Sequence, residues 1–468
     1  MKPGHHREVE TVEPAEEDRL ADLPSPDELP MRPLRHHLAL TVYWLSNTVM
    51  WGALLHIALQ TRLGDWFPEA RVGYYLAVLG FTGGVVGTAT QILAGAFSDR
   101  SAHPWGRRRP FVIAGSIPAI GALLLLGSTK SYWPFAGAVI LVQLFTNIAL
   151  GPFSALLPDT VNPREHGKAS GFMGMARLAG DTGGLILAAL LLSARPLGGN
   201  PPHAEVVAFH GHGMFHLCSI IAAFVLVTVA FTCWTIRERP LSRRPRLPVV
   251  QVVLGSFYVD IRGNPDFFWL SVSRAVTNVG FYMFLAVLLY FVQYSLRAPD
   301  PQTTTMYLML PAIGSAVVTS TAAGILSDRV GRRPLVFAAQ FLMTAAGIVF
   351  AVAPTFGVAV VAAVPAGLGL GAFTAVEWAF ACNLLPQGEA ARYLGVWNAS
   401  AVVPQILAVP IASAIGSAIS AHHPGLGWRV DFAVAAACSL IGVYFLRHVR
   451  ERRHLTAGSR QTGATDAP

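Results

Sequence analysis

Charged side chains are scarce in this chain. They make up 13% of its 468 residues, whereas soluble domains carry about a quarter. The few charges lie in short stretches between long apolar runs, and runs of about twenty residues have the length that crosses the hydrocarbon core of a bilayer. The scarcity of charge therefore excludes an ordinary soluble globular protein and indicates a protein that crosses a membrane several times.

Other features are scarce or missing. The four cysteines all fall within apolar runs, which predicts free thiols rather than a disulfide framework. The acidic residues 1–34 lack the apolar core of a signal peptide and predict a disordered tail. The stretch HGKAS lacks the earlier glycine of a phosphate-binding loop, and no nucleophile stands beside a base. We expect no enzyme activity, no cofactor and no metal, and we read the net charge of +8 as membrane topology rather than as a nucleic-acid interface.

The apolar runs predict twelve transmembrane helices. We expect an all-α membrane protein, because an open sheet cannot satisfy its backbone in lipid and the strands of a barrel would alternate in polarity. The predicted spans are 37–60, 72–97, 111–129, 133–157, 168–193, 213–236, 267–294, 303–326, 335–353, 357–385, 391–419 and 429–447.

The Lys and Arg residues predict the orientation of these spans. The loops that follow even-numbered spans hold 16 Lys and Arg residues, whereas the opposite loops hold 6. Positive charge marks the cytoplasmic side of a membrane. We therefore expect a multi-pass protein of the cell membrane with both termini in the cytoplasm.

One sequence motif that is rich in arginine occurs twice. GAFSDRSAHPWGRRRPF begins at Gly95 and GILSDRVGRRPLVF at Gly324, 229 positions later, and LLP recurs at 156–158 and 384–386 with an offset of 228. Two markers with one period indicate an internal duplication of about six helices, hence two parallel six-helix repeats. The expected segments are a tail at 1–34, a six-helix bundle at 35–236, a linker at 237–266, a second bundle at 267–450 and a tail at 451–468.

These motifs carry a resemblance. The stretch from Gly324 to Arg333 resembles the loop signature of the major facilitator superfamily. The longer first copy, which ends in GRRRPF, and LGVWNASAVVPQI from Leu394 resemble the glycoside–pentoside–hexuronide and sucrose:proton symporter group. The resemblance implies the major facilitator fold, proton-coupled transport of a sugar or glycoside, and a monomer. The second span has no carboxylate before Asp99, which favours protons over sodium as the coupling ion.

The repeated loop motif predicts a conformational latch, meaning a set of contacts between helices that stabilises one state of the transport cycle. Its carboxylates can pair bidentately with arginine, and its first glycines can let helix backbones approach closely. The alternative is a plain basic edge that only sets topology. The latch residues are Gly95, Asp99, Arg100, Gly106, Arg107 and Arg108 in the first copy and Gly324, Asp328, Arg329, Gly331, Arg332 and Arg333 in the second.

Ionisable residues within the spans are the candidates for proton coupling, because such residues are costly in lipid. Arg177 and Asp181 lie four apart in the fifth span and can pair on one helical face. Glu377 in the tenth span has no charged neighbour within a turn of its own helix. The alternatives are a buried ion pair that only fixes helix packing and a neutral, hydrogen-bonded Glu377.

By the resemblance, the first, fourth, seventh and tenth spans line a central cavity. Amides and aromatic faces there suit a sugar, although the same residues also serve in ordinary helix packing. The candidates are Asn47, Trp51, Gln143, Asn147, Arg274, Asn278 and Tyr282. Arg274 could instead extend to the membrane surface. His56 is a further candidate as a proton relay, and four histidines at 203–216 are expected in an external loop.

The expected function is a secondary transporter whose partners are a small-molecule substrate, protons and the lipid bilayer. The main alternative is a proton-driven exporter of amphipathic molecules, which should have a more apolar cavity. A receptor or embedded enzyme that kept the transporter fold is a third possibility, although no signalling domain is apparent.

Overall fold

The structure is a computed structural model that describes residues 30–31, 33–98, 101–162, 166–193, 202–236, 238, 264–384 and 390–450. Twelve helices in these ranges are long and apolar enough to cross a membrane, which confirms the predicted number, and the described residues form no strand. In chain order the helices are α1 Leu34–Trp66, α2 Glu69–Ser98, α3 Arg109–Ser128, α4 Tyr132–Ser154, α5 His166–Leu192, α6 His203–Thr235, α7 Pro265–Ser295, α8 Pro301–Val330, α9 Arg332–Val352, α10 Phe356–Leu384, α11 Ala390–Ser420 and α12 Leu426–Leu446. A short helix, Leu156–Thr160, follows α4.

Helix α6 is longer than the apolar pattern indicates. It begins at His203, directly after Pro202, so the expected loop with four histidines is helical and that expectation was wrong. The ten added residues extend the helix by about 15 Å. The histidines do not prevent this, because Ala, Val, Phe and Met between them are compatible with a helix and His210 is buried against another polar side chain.

Helices α1 and α7 occupy the same place in the two repeats, and both contain a π-helical turn. The turn is Leu54–Ala58 in α1 and Phe291–Ser295 in α7. Such turns insert a residue into the helix and are frequent at functional sites. In α1 the turn includes His56, one of the candidate residues.

Small residues bring the helices of each repeat together. A Cβ added to Gly184 of α5 would collide with the backbone of α1 at Val49, and one added to Gly371 of α10 would collide with the backbone of α8 at Ala316. Close backbone contact through small residues is the usual way in which helices associate in a membrane.

The two halves of the molecule, α1–α6 and α7–α12, touch along α2 with α11 and α5 with α8. All hydrogen bonds between the halves that join described residues lie at the end of the bundle opposite the termini, here called the distal end. Glu69 accepts bonds from the Gly425 N–H at 2.8 Å and the Trp428 indole N–H at 2.9 Å. Ser193 Oγ donates to Asp300 Oδ2 at 2.6 Å. The structure is therefore closed at its distal end.

Candidate functional site

An ion pair lies inside the second half, where α7, α10 and α11 meet. Arg274 Nε of α7 is 3.0 Å from Glu377 Oε1 of α10. The guanidinium also donates from Nη1 to the carbonyl oxygen of Trp397 in α11 at 3.1 Å and lies 4.0 Å from the centroid of that indole ring. Three helices thus hold one cation between a carboxylate and an aromatic face, which are the two groups that best stabilise a guanidinium outside water.

Some polar atoms of this ion pair have no hydrogen-bond partner among the described residues. Glu377 is 4% exposed and Trp397 is fully buried. Glu377 Oε2, the Trp397 indole N–H and Arg274 Nε have no hydrogen-bond partner among the described residues, because the Nε–Oε1 contact lacks the alignment of a hydrogen bond. Buried polar groups are normally paired, so three orphan atoms in one place mark a site that can accept a ligand or a proton.

The pairing bears on two points that the sequence left open. Glu377 has a charged partner, which comes from another helix, and Arg274 points to that partner rather than extending to the membrane surface. The sequence gives no signal for this contact, because the two residues lie in different helices and follow no shared periodicity.

A second polar pair lies in the first half, between α1 and α5. His56 Nε2 is 3.2 Å from Asp181 Oδ1 and 3.3 Å from Asp181 Oδ2. The two helices touch closely here, since a Cβ on Gly52 would collide with the Asp181 backbone. The π-helical turn of α1 carries His56.

Arg177 does not pair with Asp181, contrary to expectation. The Arg177 side chain is exposed and has no ion-pair partner in the described part of the chain. Residues four apart share a helix face, but Asp181 turns to α1, where a partner from a neighbouring helix is available. Arg177 instead lies close enough to Tyr282 of α7 to act on it electrostatically, as do Arg274 and Glu377. Tyr282 therefore lies within electrostatic range of charged groups from both halves.

The amide candidates have different surroundings. Asn147 donates to Gln143 Oε1 at 3.1 Å, and both side chains lie against Gly87 of α2. Asn278 donates to the Ser400 carbonyl at 3.4 Å. Asn47 lines a small void inside the first half. Trp51 is partly buried against the apolar core.

A cavity of about 150 Å³ begins at His56 and Asp181 and extends among α7–α10 and α12. Apart from that pair and Ser439, its walls are almost wholly apolar, with Phe281 and Phe284 among them. This cavity suits an apolar body that carries a polar or charged end.

The expected latch is only partly visible. Asp99 and Arg100 lie outside the described residues, and so does the side chain of Asp328. Gly95 and Gly324 have no described atom within 4 Å of the place where a Cβ would stand, so the space beside these two glycines gives no reason for the absence of a side chain. Helices α2 and α4 approach closely at Gly151, where a Cβ would collide with the Gln91 carbonyl.

The described part of the first latch pairs with a residue that the sequence analysis missed. Arg107 Nη2 is 2.5 Å from Asp159 Oδ1 and Arg108 Nε is 3.0 Å from Asp159 Oδ2, in the short helix after α4. Arg108 is 4% exposed and also donates to Ser98 Oγ at 2.5 Å. One carboxylate thus joins the α2–α3 loop to the end of α4. Asp159 directly follows the repeated LLP, which was the available signal.

In the second copy, Arg333 donates to the Arg447 carbonyl at 2.8 Å. Arg329 lies in the last turn of α8 and Arg332 begins α9. The chain has Gln387 where the repeat offset would place the counterpart of Asp159. The two copies therefore differ in their carboxylate.

A buried cluster at the distal end was also missed. Asp65 joins Arg62 Nη1 at 2.5 Å to His210 Nδ1 at 2.6 Å, and His203 contacts the Asp65 carbonyl at 3.2 Å. The helical extension of α6 brings these histidines to α1, and Arg62 also lies 4.5 Å from the ring of Trp66. Reading 203–216 as a loop concealed this contact.

Comparison with known sequences identifies transporters as the similar proteins. Residues 50–420 match the family model described as MFS/sugar transport protein. The glucuronide carrier protein homolog of Escherichia coli (strain K12) is 22% identical over 339 residues, which cover 68% of this chain and 70% of that protein. The uncharacterized MFS-type transporter YfhI of Bacillus subtilis (strain 168) is 25% identical over 142 residues, 30% of this chain and 34% of that protein. The match thus spans about a third of the length of YfhI.

Solved structures share the fold. A mutant of the nucleoside transporter NupG superposes with a TM-score of 0.69 at 13% identity, covering 89% of this chain and 100% of that chain. A D-xylose-proton symporter superposes with a TM-score of 0.66 at 14% identity, covering 88% and 97%. At these identities the likeness extends to the fold of twelve helices in two repeats.

Proposed function

The chain belongs to the MFS/sugar transport protein family, and from this premise we propose that it carries a sugar or glycoside across the cell membrane together with a proton. The chain is a multi-pass membrane transporter and not an enzyme. The names of a glucuronide carrier homolog and a D-xylose-proton symporter among the similar proteins support a sugar and a proton as cargo.

The Arg274–Glu377 pair is the observation that carries the proposal. Without a proton the pair is neutral overall, and Arg274 is held by Glu377. A proton on Glu377 Oε2 removes the carboxylate charge and leaves Arg274 free to donate to a substrate hydroxyl. Since a cation without a counterion is costly in the membrane, the proton and the substrate stabilise each other, which is thermodynamic coupling.

Polar groups of the first half extend the proposal. Asp181 with His56 forms a second polar pair, and Arg177 of the same half lies within electrostatic range of Tyr282, as Arg274 does. We assign these residues to proton transfer and hydroxyl binding in the central cavity, together with Trp51, Gln143, Asn147 and Asn278. Asn47 is assigned to the lining of the first half.

The closed distal end gives the direction in which this conformation opens. With the termini in the cytoplasm, as the Lys and Arg distribution favours, the distal end faces outward and the conformation opens to the cytoplasm. We propose that transport alternates between this state and one that is open at the distal end, in a monomer.

The test is uptake of labelled sucrose and a panel of glycosides into proteoliposomes, with and without an inside-alkaline pH gradient. We expect the gradient to drive accumulation. Glu377→Gln should lower this accumulation by about 5- to 150-fold, the ordinary range of coupling free energies, while counterflow exchange persists.

The matched control is Glu205→Gln, which removes an exposed carboxylate in the first turn of α6 and should leave accumulation unchanged. If no sugar moves even by counterflow, the sugar assignment is overturned. If Glu377→Gln accumulates sugar normally, Glu377 does not carry the proton.

The apolar cavity supports a second candidate, the proton-driven export of amphipathic molecules. A cation or amphiphile could bury its apolar body against Phe281 and Phe284 and place its polar end at Asp181. Efflux of a fluorescent amphiphile driven by a proton gradient, with no movement of sugar, would favour this candidate.

A further inference from the structure

A buried carboxylate near the distal end takes no part in the proposed transport step. Asp431, in the second turn of α12, is fully buried. Neither of its carboxylate oxygens has a hydrogen-bond partner among the described residues. An ionised carboxylate in such a place needs a compensating charge.

Three serines of α11 lie beside it in the same condition. Ser413, Ser417 and Ser420 are each at least nine-tenths buried, and none of their hydroxyl groups has a hydrogen-bond partner in the described part of the chain. At 100° per residue they occupy an arc of about 60° on one face of the helix. With Asp431, four buried side chains thus carry oxygen atoms that form no hydrogen bond to any described residue.

The packing places Asp431 against this face. A Cβ on Gly416, which lies within a turn of all three serines, would be 2.7 Å from Asp431 Oδ2, and a Cβ on Gly427 would be 2.7 Å from Ser420 Oγ. Gly73 of α2 faces Ser417 so closely that a Cβ there would overlap its hydroxyl. Asp431 and Ser420 therefore lie at the contact between α11 and α12, and Ser417 lies where α2, from the first half, meets α11.

No cation of the described chain neutralises this cluster. Arg429 points away and donates to the carbonyls of Ala351 and Ala353. Glu69 of α2 is another carboxylate at this end of the molecule, and it accepts bonds from the Gly425 and Trp428 N–H groups. Buried hydroxyl and carboxylate oxygens without hydrogen-bond partners, with net negative charge, are the ligand set of a hard cation.

We propose that Asp431, Ser413, Ser417 and Ser420 bind a monovalent alkali cation, with Na⁺ as the test ion. The carboxylate supplies the charge and the hydroxyls supply neutral oxygen ligands. Because α2 closes one side of the cluster, bound Na⁺ stabilises the contact between the halves and favours the state that is closed at the distal end. This site is separate from Arg274 and Glu377 and does not depend on the identity of the transported substrate.

The experiment measures ²²Na⁺ binding to the purified full-length protein in detergent, with no sugar present, at constant ionic strength in choline chloride. We expect saturable binding, and thermal stabilisation by NaCl over choline chloride. Asp431→Asn should weaken binding by at least about tenfold, as loss of a ligand does. Ser413→Ala should weaken Na⁺ binding less than Asp431→Asn does. If Asp431→Asn does not fold, Ser413→Ala still tests the proposal.

The matched control is Ser439→Ala, which removes a buried hydroxyl of α12 that already bonds the Ala435 carbonyl. It should bind Na⁺ as the parent does. Absence of saturable Na⁺ binding in the parent protein overturns the proposal, and so does equal binding by Asp431→Asn. Failure of sugar uptake in the proteoliposome assay leaves this result unaffected, so the two proposals fail separately.

Discussion

Gly106 and Gly331 hold the same position in the two repeats, at the start of α3 and α9. Their φ angles are +107° and +99°, in a region that side chains with a Cβ rarely adopt. At Gly106 the space is also filled, since a Cβ would lie 2.6 Å from Glu238 Cβ. The repeated glycine of the GRR motif therefore sets a backbone turn that places the following arginines.

This geometry gives a prediction for Gly106→Ala. Strain at one residue in such a region costs about 1–3 kcal/mol, so we expect a lower melting temperature in detergent and weaker Arg108 contacts. Gly121→Ala is the matched control, because Gly121 lies inside α3 with nothing near its Cβ position, and there alanine should stabilise the helix by up to about 1 kcal/mol. Equal melting temperatures for the two variants would contradict the prediction.

For single residues, the sequence showed which charged side chains are costly to bury in a membrane. It did not show which of these side chains contact one another. It identified Arg274, Glu377 and Asp181 as charged groups within apolar runs, and all three are in polar contacts. Their partners come from other helices, and contacts between helices leave no mark in the periodicity of either. Asp431, in an apolar run beside Arg429, passed unnoticed for a similar reason.

At the scale of elements, the first backbone N–H groups of α3 donate hydrogen bonds to a carboxylate that follows the end of α6. Glu238 accepts the backbone N–H of Arg108 at 2.7 Å and that of Arg109 at 3.0 Å, and Arg109 donates to the Cys233 carbonyl. Unpaired N–H groups at a helix start favour a negative charge. Burial acts in the opposite direction and raises the pKa of Glu238 above its ordinary value, although these N–H donors and Arg108 oppose the change.

The raised pKa gives a pH dependence with a definite sign. The folded protein holds the Glu238 proton more tightly than the unfolded chain does, so the contribution to stability is complete below the ordinary pKa of 4.5. That contribution is lost as the pH rises through the folded pKa. Glu238→Gln imitates the protonated form, and its melting temperature relative to the parent should rise from pH 4 to pH 7.

A relative melting temperature that stays level or falls from pH 4 to pH 7 would contradict this prediction, because it would show that the two N–H bonds outweigh the burial of the charge. Asp266→Asn serves as a control for the loss of a carboxylate, since Asp266 accepts one backbone N–H, that of Arg450.

The elements themselves were largely predictable, because a span in lipid must be continuous and apolar. The number of helices followed from that requirement, and the two repeats followed from the duplicated motifs at Gly95 and Gly324. The start of α6 and the end of α1 did not, since both contain polar residues, and Asp65 of α1 and His210 of α6 pair across the two helices. Helix ends that depend on tertiary partners cannot be read from apolar length.

At the scale of the whole molecule, the distal contacts between halves must open if transport alternates between two states. Ser193 of the first half bonds Asp300 of the second at 2.6 Å, and Gln302 bonds Thr61 nearby at 3.3 Å. Such polar contacts are individually weak near water, so they can form and break during a cycle. A covalent bond at the same place should hold the protein in the closed state.

The double variant Ser193→Cys with Asp300→Cys tests this directly. A disulfide needs Cβ atoms about 3.5–4.5 Å apart, and the hydrogen bond between these two side chains brings them close to that range. After oxidation we expect gradient-driven uptake to stop, and a reductant should restore it. Each single cysteine variant, oxidised in the same way, should transport normally and controls for effects on other thiols. If the cross-linked protein transports at the parent rate, the distal contact persists throughout the cycle, and opening must occur elsewhere than between α5 and α8.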